Sequence, residues 1–343
     1  MLFVINDLHI GAVRTGGTTP YTQMILRQSL LAGYQDLLSQ IDGDLIINGD
    51  LFDTDEIHYY DLFEAYKITV EWLQRTEKKL WLVAGNHDLS KNTTKLSSFQ
   101  FFCKILEESF LNVTSVFQPM AVAGYDAYII PHLPNQEQFD AALAGVPRCK
   151  QLFLHCNFDN KFAQEKDHSL NLSPEVASRL EVDAIIIGHE HQRSSHLAGK
   201  VVVPGNQLPS SVSDCLGNAD KHFLKLDKGR IEFVQCWVAD GDFDRQDWRS
   251  LKDTGARFIR VEGECAASEA AQMISAVSKF RTKSKALVIT TSGVKVQGMD
   301  DQETLEVTLE EVKGFSIKEQ LIEFFKGEPE MLSILETLLK KLV

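Results

Sequence analysis

The apolar positions of this chain fall into short blocks whose period changes along its length. Residues 2–5, 44–47, 79–83, 151–154 and 183–187 are apolar at nearly every position and rich in Val, Ile and Leu. Such short, uninterrupted runs predict strands covered on both faces. Between them apolar residues recur at helical spacing, over 21–40, 57–76, 97–110 and 135–144. Thr18-Thr19-Pro20 sets proline near the first turn of one helix, and Ser173-Pro174-Glu175 opens another that runs to about Leu180. Strand alternating with helix predicts an α/β layered domain. In such sheets, ligands gather beyond the carboxyl ends of the strands.

A polar motif follows each of the five runs directly. In order these are Asp7-Leu-His9, Gly49-Asp50-Leu-Phe-Asp53, Gly85-Asn86-His87-Asp88, His155, and Gly188-His189-Glu-His191. Taken singly, Asp7-Leu-His9 reads as a turn or a satisfied polar pair, Gly85-Asn86-His87-Asp88 as an ordinary turn, because Gly and Asn tolerate left-handed backbone, and only Gly188-His189-Glu-His191 is suggestive by itself. Five in order, each at a strand end, read as one site. They offer carboxylates, an amide and imidazoles but no thiolate. That set suits manganese, iron, zinc or magnesium rather than a cysteine-type structural zinc site.

The series D-x-H, G-D-x-x-D, G-N-H-D, H and G-H-x-H resembles that of the calcineurin-like metallophosphoesterase superfamily, over about residues 1–240. The resemblance implies a layered β-sandwich flanked by helices, with two divalent metal ions. Asp7, His9, Asp50 and His191 would hold one ion. Asp50, Asn86, His155 and His189 would hold the other, with Asp50 bridging. Two such cations polarise phosphoryl oxygens and acidify a water for phosphate ester hydrolysis. His87 is not needed as a ligand, so it is the expected group to protonate the leaving oxygen or stabilise its charge. The family pattern gives Asp53 the task of orienting it. Asp88 reads either as a support behind the ligands or as a cap of its own turn. Asn6 stands where the family often has Ser or Thr.

Composition narrows the setting. At 343 residues there is room for one large domain and one or two small ones. No apolar run reaches the length of a membrane span, and no basic leader precedes the first strand. Six cysteines without C-x-x-C spacing fit free thiols in a reducing compartment, which points to the cytoplasm. A net charge of −13 argues against a generic nucleic-acid binder. The charge is segregated, however. Residues 249–285 carry eight Lys/Arg against four acids, a net of +4, whereas residues 300–343 carry eleven acids against five bases, a net of −6. Within the basic stretch, residues 279–285 read either as a solvated helix end whose cations favour the dipole or as a phosphate contact through Arg281, Lys283 and Lys285.

The last part of the chain sets the organisation. Residues 200–203 and the turn Asp227-Lys-Gly-Arg230 predict strands and a hairpin that continue the first domain. Val203-Pro-Gly-Asn-Gln-Leu-Pro-Ser-Ser211 is a polar loop near the expected metal face. Asp240-Gly-Asp-Phe-Asp244 reads as a linker. Strands over 256–261 and 285–290 around a helix over 267–281 predict a small β-α-β unit, too small to bury much core alone and so expected to dock on the first domain. Ser316-Ile-Lys-Glu319 is a capping box. After Glu328-Pro329, Met331, Leu332, Leu335, Leu338, Leu339 and Leu342 form an apolar stripe, read either as core or as a partner-binding face. The expected division is 1–245, 255–312 and 316–343.

This layout is similar to that of the SbcD-type double-strand-break repair nucleases, a family that includes the T4-type phage recombination nuclease subunit. Gly49-Asp-Leu-Phe-Asp-Thr54 and Gly188-His-Glu-His191 are close to that family's wording. The similarity implies a manganese-dependent DNA nuclease, an exonuclease, with endonuclease activity left open. The small α/β domain would touch DNA, and the C-terminal helices would bind a coiled-coil ATPase subunit of the SbcC type. A homodimer and a phage source, in the host cytoplasm, stay open. Two rivals remain. One is a phosphoesterase of small-molecule or protein phosphate esters with the same core. The other is a DNA-end or ATPase-binding scaffold, against which intact ligands at all five motifs speak. His58, His132, His168, His196 and His222 have no motif context, although His132 ends an apolar segment and could approach the site.

Overall fold

The computed structural model describes residues 1–14, 19–90, 92, 94–160, 169–217, 220–227 and 229–296. The first half runs β1 (Leu2–Ile5), α1 (Pro20–Ser39), β2 (Asp44–Asn48), α2 (Tyr59–Thr76), β3 (Leu80–Val83), α3 (Ser98–Ser109) and β4 (Val113–Val116). Next come β5 (Met120–Ala121), β6 (Ala127–Ile130), α4 (Gln136–Ala144), β7 (Cys149–His155), β8 (Asn157–Phe158), β9 (Asn171–Leu172), α5 (Pro174–Arg179), β10 (Val182–Gly188), β11 (Ser194–His196) and β12 (Val201–Val203). The chain returns through β13 (Lys221–Asp227) and β14 (Arg230–Trp237), and ends its described part with β15 (Phe243–Asp247), β16 (Phe258–Cys265), α6 (Ala270–Arg281) and β17 (Val288–Val296).

Short polar side chains start the helices where the sequence places them. Thr19 and Ser97 form capping boxes with Thr22 and Gln100, and Asn135 and Ser173 accept from backbone amides of the first turns of α4 and α5.

Two six-stranded sheets face one another, in the orders β14-β13-β1-β2-β3-β4 and β11-β12-β10-β7-β6-β5. Strands β1 to β4 are mutually parallel, as are β6, β7, β10 and β12. The period of two explains why these strands are apolar throughout. Leu2, Val4, Ile46, Trp81 and Val83 point inward and meet Ala127, Ile129, Phe153, Ile186 and Val202 of the facing sheet. Their neighbours Phe3, Ile5, Leu45, Ile47 and Leu82 point outward and are covered by α1, α2 and α3. Leu152, Leu154, Ile185 and Ile187 lie likewise under α4 and α5. The result is a helix–sheet–sheet–helix stack, a layered α/β fold in which each large buried side chain contributes about 1.5–3 kcal/mol.

A third sheet, β15-β16-β17, is parallel throughout. One face packs against α6 around Trp248, Ile259, Val261, Met273, Val277 and Ile289. At one end Phe258 and Val288 join the core under α1–α3, and Arg257 Nε donates to Asp242 Oδ1 at 2.6 Å. The expected linker at 240–244 is therefore in part a strand: β15 begins at Phe243 and pairs in register with β16, from Phe243–Phe258 to Asp247–Glu262. The end of the expected cap and the helices expected over 316–343, with their leucine stripe, lie outside the described residues. Among those described, no helix is long and apolar enough to cross a membrane, and all six cysteines are free thiols.

Candidate metal centre

Strands β1, β2, β3, β7 and β10 end at one edge of the sandwich, and the backbone leaves them sharply. Asp7 (φ 52°), His9 (φ 48°), Asp50 (φ 50°) and His189 (φ 92°) are all left-handed. Such conformations cost about 1–3 kcal/mol each away from glycine and concentrate at functional sites. Four of the eight non-glycine examples among the described residues stand here. Asp7 N donates to Gly49 O at 3.0 Å and His9 N to Asp50 O at 3.1 Å, which ties the first two motifs together. All three motif glycines are forced by space, and a Cβ on Gly188 would lie 2.5 Å from Asn48 O. A Cβ on Gly49 would lie 2.0 Å from His155 Nδ1, and one on Gly85 would lie 2.1 Å from Asp50 Oδ1.

All seven expected ligands meet at this edge. Asp7, His9 and His191 bring one ligand atom each within 4.8 Å of one another, and so do Asp50, His155 and His189. Asn86 joins the second group: its Oδ1 is 2.9 Å from His189 Nδ1 and 3.0 Å from His155 Nε2. Asp50 stands between the groups, with Oδ2 3.3 Å from His155 Nε2 and 4.0 Å from His9 Nε2. Its Oδ1 accepts from His87 N at 2.9 Å. Asp7 accepts the backbone N–H of His189 on both oxygens at 3.0 Å. Asn6 donates from Nδ2 to Asp7 Oδ2 and to Gly205 O, so the unusual residue before the first motif clamps a ligand.

The donor set fits divalent cations. His155 Nδ1 lies 3.0 Å from Asn48 O, and His191 Nδ1 lies 2.7 Å from Asp214 Oδ1. Each acceptor selects the tautomer protonated on Nδ1 and leaves a lone pair on Nε2 facing the centre. His191 Nε2 faces His9 Nε2 at 2.9 Å, so a proton or a cation must sit between the two rings. The charges are coupled in the same way. Burial favours the neutral Asp50 carboxyl, but His155, His9 and His87 hold it well below its ordinary range. Burial also opposes charge on His155, yet Asp50 outweighs it and pushes the imidazole up to about 9. His189, buried beside His155, is pushed down to about 4.

His87 is exposed and forms a third close group with His9 and Asp53. Its orientation differs from expectation in one atom. His87 Nδ1 lies 2.6 Å from the main-chain oxygen of Asp53, not from the carboxylate. The Asp53 carboxylate is taken by the Arg14 guanidinium, at 2.8 and 2.7 Å, and lies 3.3 Å from His9 Nδ1. A bidentate arginine is the stronger partner for a carboxylate, and the carbonyl of the same residue serves the histidine. Asp88 is buried and supports the ligands from behind. It accepts from Phe52 N at 3.1 Å and Gly85 N at 2.9 Å, joining the second and third motifs. Burial, with Asp50 close by, pushes its carboxyl up to about 7.

Residues without a motif also reach the centre. Arg14, Asn48, Asp214 and Ser210 enter through the contacts above and through Arg14 Nη2 to Ser210 Oγ at 2.8 Å. His132 N donates to Ala84 O at 2.9 Å, directly before the third motif, and burial with the nearby His155 holds its imidazole down to about 4. A cavity of about 540 Å³ opens beside His191, with Arg193, Ser213, Asp214 and Gly217 in its wall. His58 caps α2 instead, and His168 lies outside the described residues. Of the three expected DNA contacts, Lys283 and Lys285 are exposed just beyond α6. Arg281 is half-buried and donates from Nη2 to Ile289 O at 2.9 Å.

Comparison with known proteins agrees with this chemistry. A family model described as calcineurin-like phosphoesterase matches residues 2–193. No curated protein matches the chain. One solved structure is 14% identical, with a TM-score of 0.39 over 69% of this chain and 98% of its own. The crystal structure of TT1561 of Thermus thermophilus is 12% identical, with a TM-score of 0.40 and the same coverage.

Proposed function

The chain belongs to the calcineurin-like phosphoesterase family, metal-dependent hydrolases of phosphoester bonds that bind two divalent ions, and from that premise we propose that it is a DNA nuclease subunit. Its substrate is the phosphodiester backbone at DNA ends, its preferred metal is manganese, and it works with a coiled-coil ATPase in repair or recombination. The observation that carries the hydrolytic part is the meeting of seven ligands in two groups with Asp50 between them. The ions, when bound, polarise the phosphoryl group and activate water. The chain's own residues do the rest. Asp50, between His155 and His9, would hold both ions. Asn48 and Asp214 hold the Nδ1 atoms of His155 and His191, which turns Nε2 of each ring toward the centre. His87, with Nδ1 on the Asp53 carbonyl, gives a proton from Nε2 to the leaving oxygen.

The DNA part is supported by the wording of the second and fifth motifs and by charge. In a chain of net charge −13, the stretch 249–285 is basic, and Lys283 and Lys285 project from it. Those cations would hold the phosphate backbone without reading sequence. The leucine stripe beyond Glu328 would bind the ATPase.

The test is hydrolysis of end-labelled linear duplex DNA beside a small aryl phosphodiester and monoester, each with manganese, magnesium or chelator. Manganese-dependent shortening of the DNA is the expected result. Turnover of an aryl ester with intact DNA would assign the protein to small phosphate esters. DNA binding without turnover of any substrate would make it a scaffold.

A further inference from the structure

We propose that Asp214 is a positioning residue of the metal centre, which fixes the His191 ring with Nε2 toward its ion and couples that ring to Arg14 and Asp53. The inference rests on the two-metal reading above.

Asp214 lies in the connection between β12 and β13, where neither spacing nor motif marks it. It is only 1% exposed, and a buried carboxylate must be saturated with donors. Its Oδ2 accepts from Ser210 N at 2.8 Å, Ser211 N at 2.8 Å and Ser210 Oγ at 3.1 Å. Three donors from one turn hold that oxygen and aim the other, Oδ1, at His191 Nδ1, 2.7 Å away. Ser210 Oγ in turn accepts from Arg14 Nη2 at 2.8 Å, and Arg14 grips both oxygens of Asp53. A continuous polar chain thus runs from His191 through Asp214, Ser210 and Arg14 to Asp53, beside His9 and His87.

The same connection, with Lys221 at the start of β13, holds the His191 backbone. Asn206 N and Lys221 Nζ each donate to His191 O at 3.3 Å. Gly205 is left-handed at φ +77°, and a Cβ there would meet His191 O at 2.8 Å. Ring and main chain of one ligand are therefore fixed by the polar loop that follows β12. An aspartate is required because both oxygens must accept. An asparagine has one accepting oxygen, so either His191 or the turn loses its partner.

The experiment is calorimetric titration of manganese into metal-free wild type, Asp214→Asn, His191→Ala and the double variant. Folding is checked by thermal unfolding in chelator. Wild type takes two ions, and His191→Ala marks which of them depends on that ring. For Asp214→Asn we expect a 10- to 100-fold weakening of that same ion, with the other unchanged and the double variant no worse than His191→Ala. A purely structural role would not produce that non-additivity. Unchanged binding of both ions, equal weakening of both, or additive losses would overturn the assignment. If Asp214→Asn does not fold, Ser210→Ala decides. Selective weakening of the His191 ion upholds the proposal, and no change or a uniform change overturns it. A wild type that binds no pair of ions would instead overturn the two-metal reading itself.

Discussion

At Asp50 a single buried carboxylate faces His155 on one side and His9 on the other, so its loss removes a ligand from both groups at once. We expect Asp50→Ala to bind neither ion by equilibrium dialysis; a variant that keeps two would show that the groups do not share a bridge. His87 sits beside the ligands, and its ring is held by a carbonyl. His87→Ala should therefore keep both metals and lose about 10²–10⁴-fold in turnover, read as kcat with metal content measured in the same sample. Loss of the metals would move His87 into the ligand set. These residues were legible in the sequence because their types, spacing and place after apolar runs carry the chemistry. Asp214 and Arg14 were not, because their role depends on which polar residue of a loop folds back, and no local pattern encodes that. The Asp53 contact was legible as a pairing of residues but not of atoms, since Arg14 takes the carboxylate.

Among the elements, those covered on both faces were the most legible, because burial on two sides removes polar residues from the strand. Trp81 illustrates the cost of opening that core. It is 2% exposed between the two sheets, and Trp81→Ala should lose about 3–5 kcal/mol of unfolding free energy in a denaturant titration. A loss under about 1 kcal/mol would mean that the facing sheets do not pack as described. Two edge strands carry no such signal. β4 reads Val113-Thr-Ser-Val116 and β15 reads Phe243-Asp-Arg-Gln-Asp247, both half polar, and pairing with a single neighbour demands no apolar run. At the end of α6, the double variant Lys283→Ala/Lys285→Ala should weaken binding to duplex DNA and flatten its salt dependence by up to about two phosphate contacts. It should leave aryl ester hydrolysis alone. Unaltered affinity would make this a solvated helix end. Arg281 is left out of that test because its guanidinium is already tied to Ile289 O.

The molecule as a whole places an acidic chain around a phosphate chemistry, and the segregation of its charge reconciles the two. The sandwich brings strand ends from residues 5 to 188 to one edge, and Asp7 and His191, 184 positions apart in sequence, bring ligand atoms within 4.8 Å of one another. Counting the ions tests that convergence. Manganese titrated into metal-free protein, with bound ions counted and their magnetic interaction read by electron paramagnetic resonance, should show two ions per chain in a spin-coupled pair. One ion per chain, or two that do not interact, would contradict a centre built around the shared carboxylate of Asp50.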